Sequence, residues 1–154
     1  MAAAPLDPDL LGRDPFAGFD VQVLADRAVY APGETVRVTV TATNHGPHPV
    51  EHQYPGWQRY HLSVRDEGHR AVADDVVDRA AEGPAVDRWL PGQMMILPIY
   101  WGQTAGPIVP AWTGEPPGPR VPPGRYRVRV TWLGRIPGQR GELPDAWSRW
   151  FELG

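Results

Sequence analysis

One strictly alternating stretch, residues 30–44, most constrains what this chain can fold into. It opens on a turn at Pro32-Gly33, after which small or β-branched apolar residues alternate with Thr and Arg. The apolar set is Val36, Val38, Val40 and Ala42. Such alternation is typical of a β-strand that buries one face and exposes the other. Residues 30–44 therefore predict a core strand.

A second stretch with the same pattern, residues 121–133, contains the turn Pro122-Pro123-Gly124 followed by an alternating strand. Its predicted inward set is Tyr126, Val128, Val130 and Trp132. Further strands are predicted at residues 19–24, 50–54, 58–66, 69–73, 93–101 and 146–153. About seven or eight strands separated by turns, with no long helical period, predict an all-β, immunoglobulin-like antiparallel β-sandwich.

Three segments interrupt this pattern. Residues 1–18 are predicted to be a flexible arm that precedes a single domain, residues 19–154. Residues 74–90 are polar and have room for one or two helical turns at most. Residues 103–120 are rich in Pro and Gly and form a loop long for a compact domain; such loops are usually functional or mobile.

The composition excludes several classes of function. The chain of 154 residues contains no cysteine, so disulfides and cysteine metal sites are excluded. All 15 basic residues are arginine, but the net charge of −3 does not favour nucleic-acid binding. The first residues lack the features of a secretion signal, and the longest apolar run, Met94–Trp101, is too short to span a membrane. We therefore expect a soluble cytoplasmic protein.

No set of catalytic residues is found. Serine occurs at Ser63 and Ser148 alone, and Ser63 is predicted to lie beside His61 on a solvated strand face. The acids of residues 74–87 are interpreted as a solvated loop rather than as a glycosidase pair. We therefore expect no enzymatic activity and no cofactor.

The imidazoles of His45, His48 and His52 are close in sequence, which leaves a metal site as a minor alternative. They straddle two prolines and the start of a strand, so no regular spacing brings them onto one face. A solvated turn is the preferred interpretation. Arg125, Arg127 and Arg129 form an outward stripe for which cross-strand ion pairs are predicted.

Met94–Trp101 is apolar in both alternation phases, whereas a sandwich strand needs only one apolar face. Something is therefore expected to cover the second face. The chain's own loops, residues 74–90 or 103–120, are the preferred cover; a partner protein or a second copy of the chain, and hence a homo-oligomer, is the alternative. Pro98 lacks a backbone donor and indicates an edge strand or a bulge.

Seven tryptophans are many for this length. Those predicted to lie in loops or near the end either close the ends of the sandwich or anchor a partner, because aromatic side chains are enriched at interfaces. The candidate protein-binding residues are Trp112, Trp57, Trp101, Ile108, Val109 and Trp89. Surface tryptophans also suit sugar rings, so carbohydrate binding is the alternative function.

Four pieces of the chain, in this order, resemble the bacterial BsuPI-type intracellular proteinase inhibitor domain family. They are Thr43-Asn44-His45-Gly46, Tyr54-Pro55-Gly56-Trp57-Gln58-Arg59-Tyr60, Leu90-Pro91-Gly92-Gln93 and Pro123-Gly124-Arg125-Tyr126-Arg127-Val128. The resemblance, over residues 20–133, implies an immunoglobulin-like sandwich that binds and restrains an intracellular protease. No inhibitory residue carries over, and the loop at residues 103–120 and the Trp-rich end depart from the family's pattern. The expected function is protein binding without catalysis, with neither nucleic acid nor a membrane as partner.

Overall fold

The computed structural model describes residues 18–56, 58–75, 84–108, 114–137 and 143–154. These residues form twelve β-strands and no helix. The strands are β1 (Phe19–Ala25), β2 (Val29–Tyr30), β3 (Val36–Asn44), β4 (Val50–Tyr54), β5 (Tyr60–Asp66), β6 (Ala71–Asp74), β7 (Ala85–Trp89), β8 (Met94–Trp101), β9 (Gly106–Pro107), β10 (Gly124–Trp132), β11 (Ala146–Trp147) and β12 (Phe151–Leu153).

Two larger sheets and one small sheet result. The first sheet is antiparallel, in the order β1-β3-β8. The second has the order β2-β12-β10-β5-β6-β9, with β11 beside β10; its β2–β12 and β6–β9 pairs are parallel. Strands β4 and β7 form a separate antiparallel pair. Side chains of both larger sheets share one hydrophobic core, so the sheets pack face to face.

The alternation in the two long strands has the predicted outcome. In β3 the apolar set from Val36 to Ala42 is buried, and in β10 the set from Tyr126 to Trp132 is buried. Strand β3 thus lies at the centre of the first sheet and β10 in the interior of the second. The all-β, immunoglobulin-like sandwich predicted from these two strands is confirmed.

A second, smaller core lies where β1, β4, β7 and β10 converge. His52 is fully buried there, and four aromatic rings surround it at centroid distances of 4.4 to 6.3 Å: those of Phe19, Tyr54, Trp89 and Trp132. Trp132 Nε1 donates a hydrogen bond of 3.1 Å to His52 Nδ1. We call this group the histidine cage. A Cβ atom at Gly134 would lie 2.6 Å from Trp132 Nε1, so the cage requires glycine there.

Several strand predictions need correction. Residues 84–90 are not irregular, because β7 pairs with β4 over their greater part. The predicted final strand is two strands, β11 and β12, interrupted at Ser148. Ser63, predicted to face solvent, is buried because Arg65 folds back and donates from Nε to its hydroxyl at 3.1 Å.

Two further predictions lie largely outside the described residues. The N-terminal arm, residues 1–18, is represented by Gly18 alone, whose carbonyl accepts a hydrogen bond from the His45 amide. The helical turn was predicted within residues 74–82, of which residues 76–82 lie outside the described part, whereas Asp74 ends strand β6.

Candidate functional site

A cleft of about 960 Å³ opens at one edge of the sandwich, between β8 of the first sheet and the β5–β6–β9 side of the second. Its walls are mainly apolar. They include the side chains of Leu62, Pro98, Ile99, Pro107, Ile108 and Pro117. Ligand sites are typically concave and apolar with a few placed polar groups. The cleft is therefore the first candidate for a binding site.

The chain after β8 shapes the cleft by crossing from one sheet to the other. It bends at Gln103, a non-glycine residue in the left-handed region with φ of 61°. It then pairs with β6 through β9, and the Ile108 amide donates to the Asp74 carbonyl at 2.7 Å. These backbone bonds place Ile108 on the cleft wall.

A buried side-chain amide secures this crossing. Gln103 Nε2 donates to the carbonyls of Ala31 (2.9 Å) and Glu34 (2.8 Å), which flank the Pro32-Gly33 turn. That turn lies between β2 of the second sheet and β3 of the first. The two crossovers between the sheets are therefore fastened to each other at Gln103.

Asp75 supplies the cleft with a carboxylate held in a defined position. Its Oδ1 accepts the Leu62 amide at 2.7 Å, and His61 Nδ1 lies 2.7 Å from the same oxygen. Its Oδ2 accepts a longer bond, 3.3 Å, from Gln58 Nε2. Burial raises the pKa of the Asp75 carboxyl, although the Leu62 hydrogen bond and His61 oppose the effect.

The other polar groups of the cleft are acidic or neutral. Glu115 lines it together with the rings of Tyr60 and Tyr100. Burial raises the pKa of Tyr60 to about 12, so this phenol stays protonated at neutral pH. No Arg, Lys or His is found among the described residues that line the cleft. The charged groups that the structure describes in the cleft lining are thus of one sign.

Strand β8 forms a free edge of the first sheet within the described part of the chain. Its pairing with β3 is continuous through Pro98, which lies opposite Thr39. A proline leaves such a ladder intact only where its nitrogen points away from the partner strand. The nitrogen of Pro98 therefore faces the free edge, and the predicted edge strand is confirmed.

The outer face of β8 is a line of apolar side chains, which we call the apolar row: Met94, Ile96, Pro98 and Tyr100. The exposed fractions of Met94, Ile96 and Tyr100 are 54%, 60% and 59%. The described parts of the chain's own loops, which were the preferred cover for this face, leave these three side chains more than half exposed. Residues 76–83 and 109–113 of those loops lie outside the described part.

The structure separates the sequence-predicted binding residues into three groups. Trp89 and Trp101 are each 2% exposed and are not available to a partner. Trp89 packs in the histidine cage, and Trp101 packs between the sheets with its indole N–H bonded to the Thr104 carbonyl. Ile108 lies on the cleft wall. Trp57, Val109 and Trp112 lie outside the described residues.

Within the described residues, the arginine stripe on β10 forms one ion pair, between Arg129 and Asp145, and not the series of cross-strand pairs predicted for it. Arg127 is sandwiched between two indoles, its guanidinium carbon 4.0 Å from the Trp147 ring centre and 4.6 Å from that of Trp150. The guanidinium carbon of Arg125 also lies over the Trp150 ring, at 5.4 Å, and that of Arg129 over the Trp147 ring, at 5.6 Å. We call this alternating stack the Arg–Trp ladder.

The ladder and Asp75 were not found by sequence reasoning. Arginines two residues apart on a strand share a face, and the Trp147-to-Trp150 spacing could have indicated two rings for them to stack on. For Asp75 no local signal exists, because its surroundings come from β5 and from the chain beyond β8.

The histidine metal site has no support in the described residues. His52 is buried in its cage, whereas His45 lies at the surface, 3.7 Å from Asp20. Among the described ranges, no group of three or more His, Cys, Asp or Glu side chains is arranged to hold a metal ion. Nor does any helix in those ranges have the length and apolar character to cross a membrane.

The fold and the site define an immunoglobulin-like β-sandwich with an apolar, acidic cleft at one edge. No protein-family model matches the sequence. No curated protein matches it.

Solved structures do resemble it. A β-glucosidase from Erythrobacter marinus is 15% identical (TM-score 0.47), with 88% of this chain and 15% of that chain covered. A CARDB domain from Pyrococcus furiosus, in complex with di-metal ions, is 14% identical (TM-score 0.46; 96% and 99% covered). The sporulation control protein Spo0M from Bacillus subtilis is 15% identical (TM-score 0.43; 88% and 49% covered). At these identities and TM-scores the similarity says nothing about function.

Proposed function

We propose that this protein is a non-enzymatic intracellular module that binds another protein through the apolar row and the adjoining cleft. The observation that supports this most is the row itself. Met94, Ile96 and Tyr100 are each more than half exposed and lie in line on one edge strand. Contiguous exposed apolar surface is typical of protein interaction sites.

The geometry favours an extended segment of the partner as the occupant. A segment laid beside β8 would pack apolar side chains on the row and meet unpaired backbone groups of the free edge. Pro98 and Tyr100 belong both to the row and to the cleft lining, so the two surfaces are continuous. The resemblance to BsuPI-type domains favours an intracellular protease as this partner.

Carbohydrate binding has weaker support. Trp89, Trp101 and Trp132 are buried, and the rings of Trp147 and Trp150 are stacked against arginine. Among the tryptophans that the structure describes, Trp147 is 38% exposed, but its ring is already in contact with Arg127, which leaves less ring face for a sugar. Tryptophan fluorescence titrated with a panel of polysaccharides tests this alternative, and a saturable change would support it.

The test of protein binding uses a charge placed on the row. In a pull-down from an extract of a bacterial cell, Ile96→Asp should lose the proteins that the wild type captures, because a carboxylate in a packed apolar contact is costly to desolvate. The captured proteins are then identified, and a purified protease among them is assayed for inhibition.

Leu24→Asp is the matched control. Leu24 is 59% exposed and lies on β1, at the opposite edge of the same sheet. This variant should retain the captured partner. If both variants capture the same proteins as the wild type, or if the wild type captures none but itself, the proposal is overturned. Circular dichroism of both variants checks that they remain folded.

A further inference from the structure

The charges of the cleft restrict what can enter it. Asp75 and Glu115 are carboxylic acids, and the described lining contains no basic side chain. The remaining surface is apolar, or aromatic at Tyr60 and Tyr100. An anion would meet charge of the same sign in a poorly solvated space, whereas a cation with an apolar stem would match both the walls and the carboxylates.

Asp75 has capacity to accept a further hydrogen bond. Its Oδ1 is engaged by the Leu62 amide and lies close to His61, but its Oδ2 accepts a bond of 3.3 Å from Gln58. A carboxylate offers about four lone-pair positions. The bond from the Leu62 backbone fixes the direction of the carboxylate, so an incoming donor would meet an oriented acceptor with little loss of side-chain freedom.

The burial of Asp75 also favours the binding of a cation. The surroundings of Asp75 disfavour its ionised form, as the raised pKa of this carboxyl indicates. A guanidinium or ammonium group beside it would offset that cost, which a neutral group cannot do. Tyr60 and Tyr100 line the same cleft, and aromatic rings attract cations placed over their faces.

We propose that the cleft binds a basic side chain, Arg or Lys, with its aliphatic stem along Ile99 and Leu62 and its charged end at Asp75. This inference rests on the proposed function, because the side chain would belong to the partner segment that lies on the apolar row. It names the partner's chemistry: an extended segment with apolar residues and one basic residue that reaches the cleft.

The test uses three small probes of similar size with the wild-type protein: n-butylguanidinium, n-butanol and butyrate. Amide chemical shifts are followed in ¹⁵N-labelled protein. Butylguanidinium should shift the amides of Leu62, Ile99 and Ile108 in a saturable manner, and should bind about tenfold more tightly than butanol, because a charge-assisted bond is involved. Butyrate should not bind.

Asp75→Asn removes the charge and nearly preserves the shape, and it should weaken butylguanidinium binding by about tenfold. Asp74→Asn is the matched control, since Asp74 adjoins Asp75 but does not line the cleft; it should bind like the wild type. If butanol binds as well as butylguanidinium, or if Asp75→Asn binds like the wild type, the inference is wrong. Should Asp75→Asn fail to fold, the three-probe comparison on wild-type protein decides alone.

The outcomes separate this inference from the proposed function. A partner lost by Ile96→Asp, together with a cleft that shows no preference for cations, would refute the inference and leave protein binding standing. A cation-selective cleft in a protein that captures no partner would refute the proposed protein binding and leave the preference of the cleft for a basic group standing.

Discussion

His52 shows how one residue couples stability to pH. Its ring is fully buried, and this burial lowers its pKa from 6.5 to about 4, while the nearby Asp87 carboxylate opposes the shift. The folded protein therefore resists protonating a ring that the unfolded chain protonates more readily. The contribution of the neutral His52 ring to the free energy of unfolding is complete above about pH 6.5 and is lost as the pH falls towards 4.

We predict that the free energy of unfolding falls by about 3 kcal/mol through His52 between pH 7 and pH 4, at about 1.4 kcal/mol for each pH unit. Urea denaturation across this range measures it. His52→Asn keeps an acceptor near Trp132 Nε1 and should remove this part of the acid dependence, although the variant starts less stable. His45→Asn, at the surface, should retain the wild-type dependence; equal slopes in all three proteins would contradict the assignment.

At the scale of elements, the Arg–Trp ladder attaches the end of the chain to the second sheet. Strands β11 and β12 are short and pair with β10 on either side of Ser148. Ser148 bridges the interruption: its hydroxyl accepts the Val128 amide at 2.8 Å and donates to the Arg149 carbonyl at 2.9 Å. The indoles on either side of it then stack on Arg127.

We predict that Arg127→Ala lowers the free energy of unfolding by about 1–2 kcal/mol, because a partly desolvated cation loses contact with two rings. Near-ultraviolet circular dichroism should report the released indoles, and urea denaturation the stability. Arg125→Ala is the control: Arg125 is exposed and its guanidinium lies over one ring, that of Trp150, at 5.4 Å, so its loss should cost less than about 0.5 kcal/mol. Equal losses for the two variants would exclude a special role for the ladder.

Some strands could be predicted from the sequence and others could not. Strands β3, β5 and β10 were predictable because each presents one face to the core and one outward. Apolar and polar residues therefore alternate along their sequences. Strands β2, β7 and β9 were not, since they are short and their pairing is decided by residues far away in sequence. Trp89 and Trp101 were candidate binding residues because sequence does not reveal which distant side chains will bury an indole.

The candidate site was predictable in part. The doubly apolar β8 and the edge position of Pro98 pointed to the side of the molecule on which the cleft lies, and Ile108 lines that cleft. The cleft itself depends on the path of the chain beyond Trp101. Three contacts set that path. Gln103 bonds to the turn before β3, the Ala105 amide donates to the Pro119 carbonyl, and β9 pairs with β6.

For the molecule as a whole, the junction at Gln103 holds the two sheets together at the edge that carries the cleft. The β2–β3 and β8–β9 connections each cross between sheets, and the Gln103 side chain bonds one to the other. Because the Gln103 side chain is buried, its N–H donors would lose water without compensation if they did not reach these two carbonyls.

We predict that Gln103→Glu destabilises the protein by about 2–4 kcal/mol, because a carboxylate would replace two donated hydrogen bonds with repulsion from two carbonyl oxygens. Thermal or urea unfolding measures the loss. Gln53→Glu is the control: Gln53 is exposed on β4, and the same chemical change there should stay within about 0.5 kcal/mol. If Gln103→Glu unfolds at the wild-type midpoint, the junction does not secure the crossing.

Pro98 also bears on how this molecule behaves at high concentration. A free strand edge with an apolar face is a template on which copies of a chain can add strand to strand and grow into fibrils. The nitrogen of Pro98 carries no hydrogen and points toward that edge, so every added strand would lack a bond at the middle of the ladder. One proline thus allows the chain to keep an apolar row exposed while opposing its own polymerisation.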